Sequence, residues 1–164
     1  MTELLRPGVL DGVRIRVAGA GPLGAAVAAR ARDLGATIAP GRAAPPGEID
    51  ALVVDAAAMF AGATGVDAVR GALDGAWAAI QPEASGAKLI VLLAPPPGDA
   101  HAEAARAGLE NLARTLSIEW ARLGIRPVAI HPGTATPAPD VAELAAFLAS
   151  GAGAYYSGCR FDLR

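Results

Sequence analysis

The sequence predicts an α/β protein built on one doubly wound parallel sheet, with six strands and four main helices. Three observations carry this reading. Short apolar runs alternate along the chain with stretches of helical periodicity. Two of those runs, 51–54 and 89–93, are apolar at every position, as strands covered on both faces must be. A Gly19-x-Gly21-x-x-Gly24 turn sits where the first strand passes into the first helix.

Val13 to Val17 reads as the first strand. The helix after the glycine turn runs to about Leu34, with Leu23, Val27 and Leu34 on one face and Gly35 as its stop. Ala36 to Ala39 is a short second strand. The stretch Pro40 to Glu48 holds three prolines and two glycines, which bars a helix. Ala51 to Val54 is the third strand. A helix over 66–80 presents Val66, Val69, Leu73, Trp77 and Ile80, with Thr64 and Asp67 spaced as a capping pair. Leu89 to Leu93 is the fourth strand, closed by Pro95-Pro96-Pro97. A long helix over 101–123 carries Leu109, Leu112, Leu116, Trp120 and Leu123. Pro127 to Ile130 is the fifth strand. A helix through Ser150 is expected to be capped by Asp140 with Glu143, and a last strand lies near 159–163. No internal repeat or second domain is visible, so residues 1–164 are read as a single domain.

Composition excludes several classes. With 14 positive charges against 16 negative ones, a basic nucleic-acid binder is not expected. Cys159 is the only cysteine, which rules out a disulfide framework. It is expected to be a small buried residue. Apolar residues make up 53%, but alanine inflates that figure, and no stretch approaches the ~20 apolar residues of a spanning helix. The N-terminus lacks signal-peptide features. The expectation is a soluble, cytoplasmic protein without metal, membrane or nucleic-acid partners.

The glycine turn has the context of a dinucleotide fingerprint, with the helix N-terminus facing an anion. It is equally readable as a tight turn that binds nothing. The acidic residue that should end the second strand and hold a ribose is absent: Ala39-Pro40-Gly41-Arg42 stands there. Arg42 suits a 2′-phosphate or a solvated linker.

With these motifs placed, the chain resembles the short-chain dehydrogenase/reductase family, a Rossmann-like fold. Residues 50–57, Asp-Ala-Leu-Val-Val-Asp-Ala-Ala, resemble its D-x-L-V-N-N-A-G strand. Residues 108–119, GLENLARTLSIE, resemble the helix after its catalytic lysine. Residues 124–133, GIRPVAIHPG, resemble G-I-R-V-N-x-I-x-P-G. The likeness spans nearly the whole chain and is most specific over residues 104–133. It implies hydride transfer between a nicotinamide and a carbonyl or alcohol carbon. In the family a Y-x-x-x-K tyrosine is the acid/base, with a serine on the substrate oxygen and an asparagine in a water relay.

Residue by residue, that set is missing. The asparagine position falls at Ala72, the serine at Ala94, the tyrosine at Ala102 and the lysine at Arg106. Lys88 is the only lysine and Tyr155 and Tyr156 the only tyrosines, so no shift of register restores the motif. The family's helix, strand and helix after the second strand are replaced by segment 40–49, which spans roughly 33 Å when extended. The lid after Gly133 is also short. Arg14 and Arg16 alternate with apolar residues, as if the missing pieces left that strand face uncovered.

The resemblance offers Gly19, Gly21, Gly24, Asp55 and Thr136 as cofactor contacts. Asp55, at a strand end, reads more readily as a helix cap or a loop charge. His101 and Arg106 are the weak catalytic substitutes, although arginine stays protonated and is a poor proton shuttle. His131 suits packing. Trp77 and Trp120, with Leu73, Leu109, Leu112 and Leu116, lie on the two helices that resemble the family's dimer interface. The sequence favours a non-catalytic subunit paired with an active paralogue, with no cofactor. An NAD(P)-dependent oxidoreductase with atypical residues and an NAD(P)-binding sensor are the alternatives. Association as a homo-oligomer through the same helices also remains open.

Overall fold

The computed structural model describes residues 5–40, 47–83 and 86–164. Six strands form one sheet: β1 (Arg14–Ala18), β2 (Thr37–Ile38), β3 (Ala51–Asp55), β4 (Leu89–Leu93), β5 (Arg126–His131) and β6 (Arg160–Asp162). Their order is β2-β1-β3-β4-β5-β6 and every pairing is parallel. This is the expected doubly wound arrangement. The strand order reverses between β1 and β3, and such a switch point opens a crevice at the carboxyl ends of the strands.

Alternation along the strands divides the core in two. Ile15, Val53, Val91 and Ile130 face one side with Val27 and Ala31 of α1 (Pro22–Asp33). Val141 and Leu148 of a helix at Ala138–Ala149 complete that layer. Leu52, Val54, Ile90 and Leu92 face the other side. There they meet Ala72 and Ala76 of a helix at Gly65–Ile80 and Leu109 and Leu116 of one at Ala100–Glu119. Every residue of β3 and β4 is buried, which explains their unbroken apolar runs.

A short helix, α2 (Ala56–Ala61), was not foreseen. It makes the Gly65–Ile80 helix α3, the Ala100–Glu119 helix α4 and the Ala138–Ala149 helix α5. Thr64 stands at the α3 N-cap but its side chain makes no capping bond. The α4 helix stops at Glu119, short of Leu123. A 3-10 turn follows at Ala121–Leu123, and Gly124, at φ 70°, closes it in the left-handed region. Asp140 does not cap α5. That helix begins two residues earlier, after Pro137, and Pro139 stands in its first turn where the missing N–H costs nothing. Glu143 instead accepts from Arg30 Nε at 2.7 Å and from the Leu5 amide at 3.1 Å.

The β1 arginines part ways. Arg14 is exposed and lies 3.7 Å from Glu48. Arg16 is 5% exposed and ion-paired with buried Glu83, in the 3-10 turn after α3. The expected uncovered face is therefore covered at Arg16, because the end of α3 folds over it. Cys159 is half-buried, not buried, and its Sγ donates to the Ser157 carbonyl. Arg42 lies outside the described residues, as do the other residues of 41–46. Among the described residues, no helix is long and apolar enough to cross a membrane. Nor, among the described residues, is any group of three or more His, Cys, Asp or Glu side chains placed to hold a metal.

Candidate functional site

The switch-point crevice lies where β1 and β3 end. Ala18 pairs with Val54, so Gly19 and Asp55 leave the sheet side by side. Asp55 is fully buried. One carboxylate oxygen accepts the Gly24 amide at 2.8 Å, and the other accepts the Ala58 amide at 3.0 Å, capping α2. One side chain thus ties together the first turns of α1 and α2.

All three glycines of the turn pack against this residue. Gly19 has φ 94°, and a Cβ there would stand 2.9 Å from the Asp55 carbonyl oxygen. A Cβ on Gly21 would meet Asp55 Oδ2 at 2.6 Å and Ala58 Cβ at 2.5 Å. On Gly24 it would meet Val17 at 2.9 Å and Asp55 Oδ2 at 3.1 Å. Steric need alone accounts for the motif.

The second cluster lies at the ends of β4 and β5. Ala72 and Ala94 are fully buried, and Ala102 is 5% exposed. Arg106 reaches from α4 across both strand ends. Its Nη1 donates to the Pro95 carbonyl at 2.7 Å and to the Pro132 carbonyl at 3.0 Å.

His101 contacts Asp99 on the helix start next to this cluster. It is half-exposed at the start of α4, where Asp99 caps the helix by accepting the His101 and Ala102 amides at 3.0 and 2.9 Å. Those bonds, the one from Ala102 foremost, hold the Asp99 carboxyl below the usual carboxylate range. Thr136 is turned inward on its own loop, where its hydroxyl accepts the Gly133 amide at 2.8 Å.

No protein-family profile matches the chain. Solved structures do. BdcA from E. coli superposes with a TM-score of 0.77 at 19% identity, over 95% of this chain and 100% of that one. The citronellol catabolism dehydrogenase AtuB of Pseudomonas aeruginosa PAO1 gives 0.73 at 23% identity, over 98% and 97%. A short chain dehydrogenase from Mycobacterium smegmatis gives 0.72 at 20%, over 100% and 96%. The chain has the short-chain dehydrogenase/reductase fold.

BdcA has also been solved in complex with NADPH, at a TM-score of 0.77 and 18% identity, over 95% of this chain and 94% of that one. In the short-chain dehydrogenase fold of this chain, the donors that a pyrophosphate needs at the glycine turn are reduced. The first turn of α1 opens with Pro22, which has no N–H. The Gly24 amide is already taken by Asp55. In that first helical turn only Leu23 keeps an amide outside these contacts, and the amides of Gly19, Ala20 and Gly21 belong to the turn that lines the groove. An open groove of about 540 Å³ runs along the turn, bounded by Val17, Ala25 and Ala28, with no charged side chain in its lining. The turn therefore offers a dinucleotide's pyrophosphate a reduced set of helix donors and no cation.

The helical face splits as well. Leu109 and Leu116 are buried in the core between α4 and the sheet, so they present nothing to a partner. Leu73 and Leu112 are half-buried at its edge. Trp77 is 41% exposed and stacks on Trp120, with ring centroids 6.3 Å apart.

Sequence reasoning did not foresee the double role of Asp55. Its signal was an acidic residue ending an otherwise apolar strand beside an alanine run. Nor did it foresee the environment of His131. That side chain is buried, and Nε2 has no hydrogen-bond partner among the described residues. Burial first, and then the Arg106 charge, push its pKa down to about 4.

Proposed function

We propose that this chain is a non-catalytic subunit with the short-chain dehydrogenase fold, the structural or regulatory partner of an active dehydrogenase in a heteromeric cytoplasmic complex. One observation carries the reading. The three buried alanines, 72, 94 and 102, have no titratable group, and Arg106 commits its Nη1 to two backbone carbonyls with its Nε 3.8 Å from Glu103. Proton transfer at neutral pH needs a group that gains and loses a proton there, and arginine does not. The chain keeps the sheet and both helical layers. It has lost the polar atoms that would act on a substrate. On this reading, the short connection over 40–49 and the short lid after Gly133 belong to the same loss.

A subunit without chemistry is retained for what it touches. The Trp77–Trp120 pair on α3 and α4 supplies a surface on which a paralogue of like shape can seat.

The test is native mass spectrometry of the tagged protein purified from its own host. A stoichiometric complex with a chain carrying an intact Y-x-x-x-K supports the proposal. A homo-oligomer that oxidises or reduces a substrate with NAD(P)H overturns it and restores the atypical oxidoreductase, for which His101→Ala is the next variant.

A further inference from the structure

Three features converge at the β1–β3 switch point. A fully buried carboxylate, that of Asp55, lies beneath the crevice where this topology places a ligand. That carboxylate accepts the one amide that the first turn of α1 directs inward, from Gly24 at 2.8 Å. The three glycines that suggest a phosphate cradle all pack against Asp55, with Ala58 crowding Gly21 and Val17 crowding Gly24 as well.

We infer that Asp55 is the resident anion of the α1 N-terminus, and that it excludes dinucleotides from the glycine turn. A helix N-terminus carries about half a positive charge, from its unpaired amides and aligned peptide dipoles. In this chain that charge is already neutralised from within. A pyrophosphate entering the groove meets a first helical turn in which Pro22 has no amide and the Gly24 amide is taken, no cation in the lining, and a buried carboxylate behind the turn. Like charges at short range in a poorly solvated site repel strongly. The same residue caps α2, so the exclusion is built into the fold and does not depend on a mobile segment.

The inference deepens the non-catalytic reading and rests on it, but the two fail separately. Turnover by the purified chain removes the non-catalytic reading. Binding of NADPH by the wild type without turnover removes only the role of Asp55.

The experiment is calorimetric titration of the full chain with NADPH and with ADP-ribose, on the wild type and on Asp55→Asn. The amide keeps the shape and one acceptor and loses the charge. Asp55→Ser is the second variant, and thermal unfolding confirms that each is folded. The expected result is no saturable binding by the wild type up to about 1 mM, with binding gained by roughly tenfold or more in the neutral variants. Wild-type binding as tight as that of Asp55→Asn overturns the inference. So does a folded Asp55→Asn or Asp55→Ser chain that still binds nothing. If neither variant folds, the wild type decides: saturable NADPH binding overturns the inference and its absence supports it.

Discussion

Arg106 and Pro132 are joined by a hydrogen bond of 3.0 Å, from a guanidinium nitrogen that also holds the Pro95 carbonyl at 2.7 Å. The bond ties α4 to the ends of two adjacent strands. In the family that the sequence resembles, the matching position is a lysine facing cofactor and substrate. Here the cation faces the protein's own backbone. Arg106 acts as a structural clasp between the helix and the two strand ends.

Arg106→Met should therefore destabilise the fold by about 1–3 kcal/mol, because two carbonyls lose a charged donor in a largely buried setting. Arg106→Lys should lie between, since one ammonium replaces the planar fork. Urea unfolding at neutral pH measures both. A Met variant within about 0.5 kcal/mol of wild type removes the clasp.

The Arg16–Glu83 pair is the deepest charge pair described, with side chains 6% and 1% exposed. Arg16 also donates to the Ala79 carbonyl at 3.4 Å. Removing either partner strands the other charge, so Arg16→Ala and Glu83→Ala should each cost about 3–5 kcal/mol. The double change Arg16→Met with Glu83→Leu should cost far less than the sum of the single changes. A double-mutant cycle in urea reads this directly, and additive losses would show that the two groups are not coupled.

Much of the fold was legible because burial on both faces writes itself into composition. The β3 and β4 strands could be nothing else once every position was apolar. The parallel, doubly wound class of the sheet followed from the alternation of strand and helix. Helix ends were less legible, because proline and glycine act by geometry as well as by side-chain bonds. Pro139 starts α5 where Asp140 looked like the cap. At the candidate site the sequence shows alanines at the positions where the resemblance would put acid, base and relay. What replaced them was not readable. The hydrogen bond from Gly24 to Asp55 joins residues far apart in sequence, and pattern alone does not reveal whether a strand-end carboxylate turns outward to a ligand or inward to an amide.

His131 predicts an acid-sensitive stability. Burial and the Arg106 and Arg160 charges disfavour its protonated form, and Asp162 and Glu110 only partly offset them. The unfolded chain takes up the proton near pH 6.5 and the folded one near 4. Between those values only the unfolded state binds it. Stability from this group is complete above about pH 6.5 and falls as the pH drops toward 4, by at most ~1.4 kcal/mol per unit. His131→Leu should remove that slope. Urea midpoints from pH 7.5 to 4.5 on both chains provide the difference, and parallel curves would leave His131 without the role.

Trp77 predicts where the partner sits. Its ring is 41% exposed, stacked on Trp120 and flanked by half-buried Leu73 and Leu112. A tryptophan at the centre of an interface typically carries 2 kcal/mol or more of binding, so Trp77→Glu should weaken the complex about 30-fold or more. The exposed ring contributes little to the monomer's own core, and its unfolding free energy should change by under about 1 kcal/mol. Tyr155→Glu is the control: Tyr155 is 94% exposed in the turn after α5, away from α3 and α4. Native mass spectrometry of the three chains separates the outcomes. Loss of the complex with Trp77→Glu alone places the partner on the α3–α4 face. Loss with Tyr155→Glu alone moves the interface to the end of α5. An unchanged complex in a folded Trp77→Glu chain means that the tryptophan pair is a surface ornament of the core and not a contact.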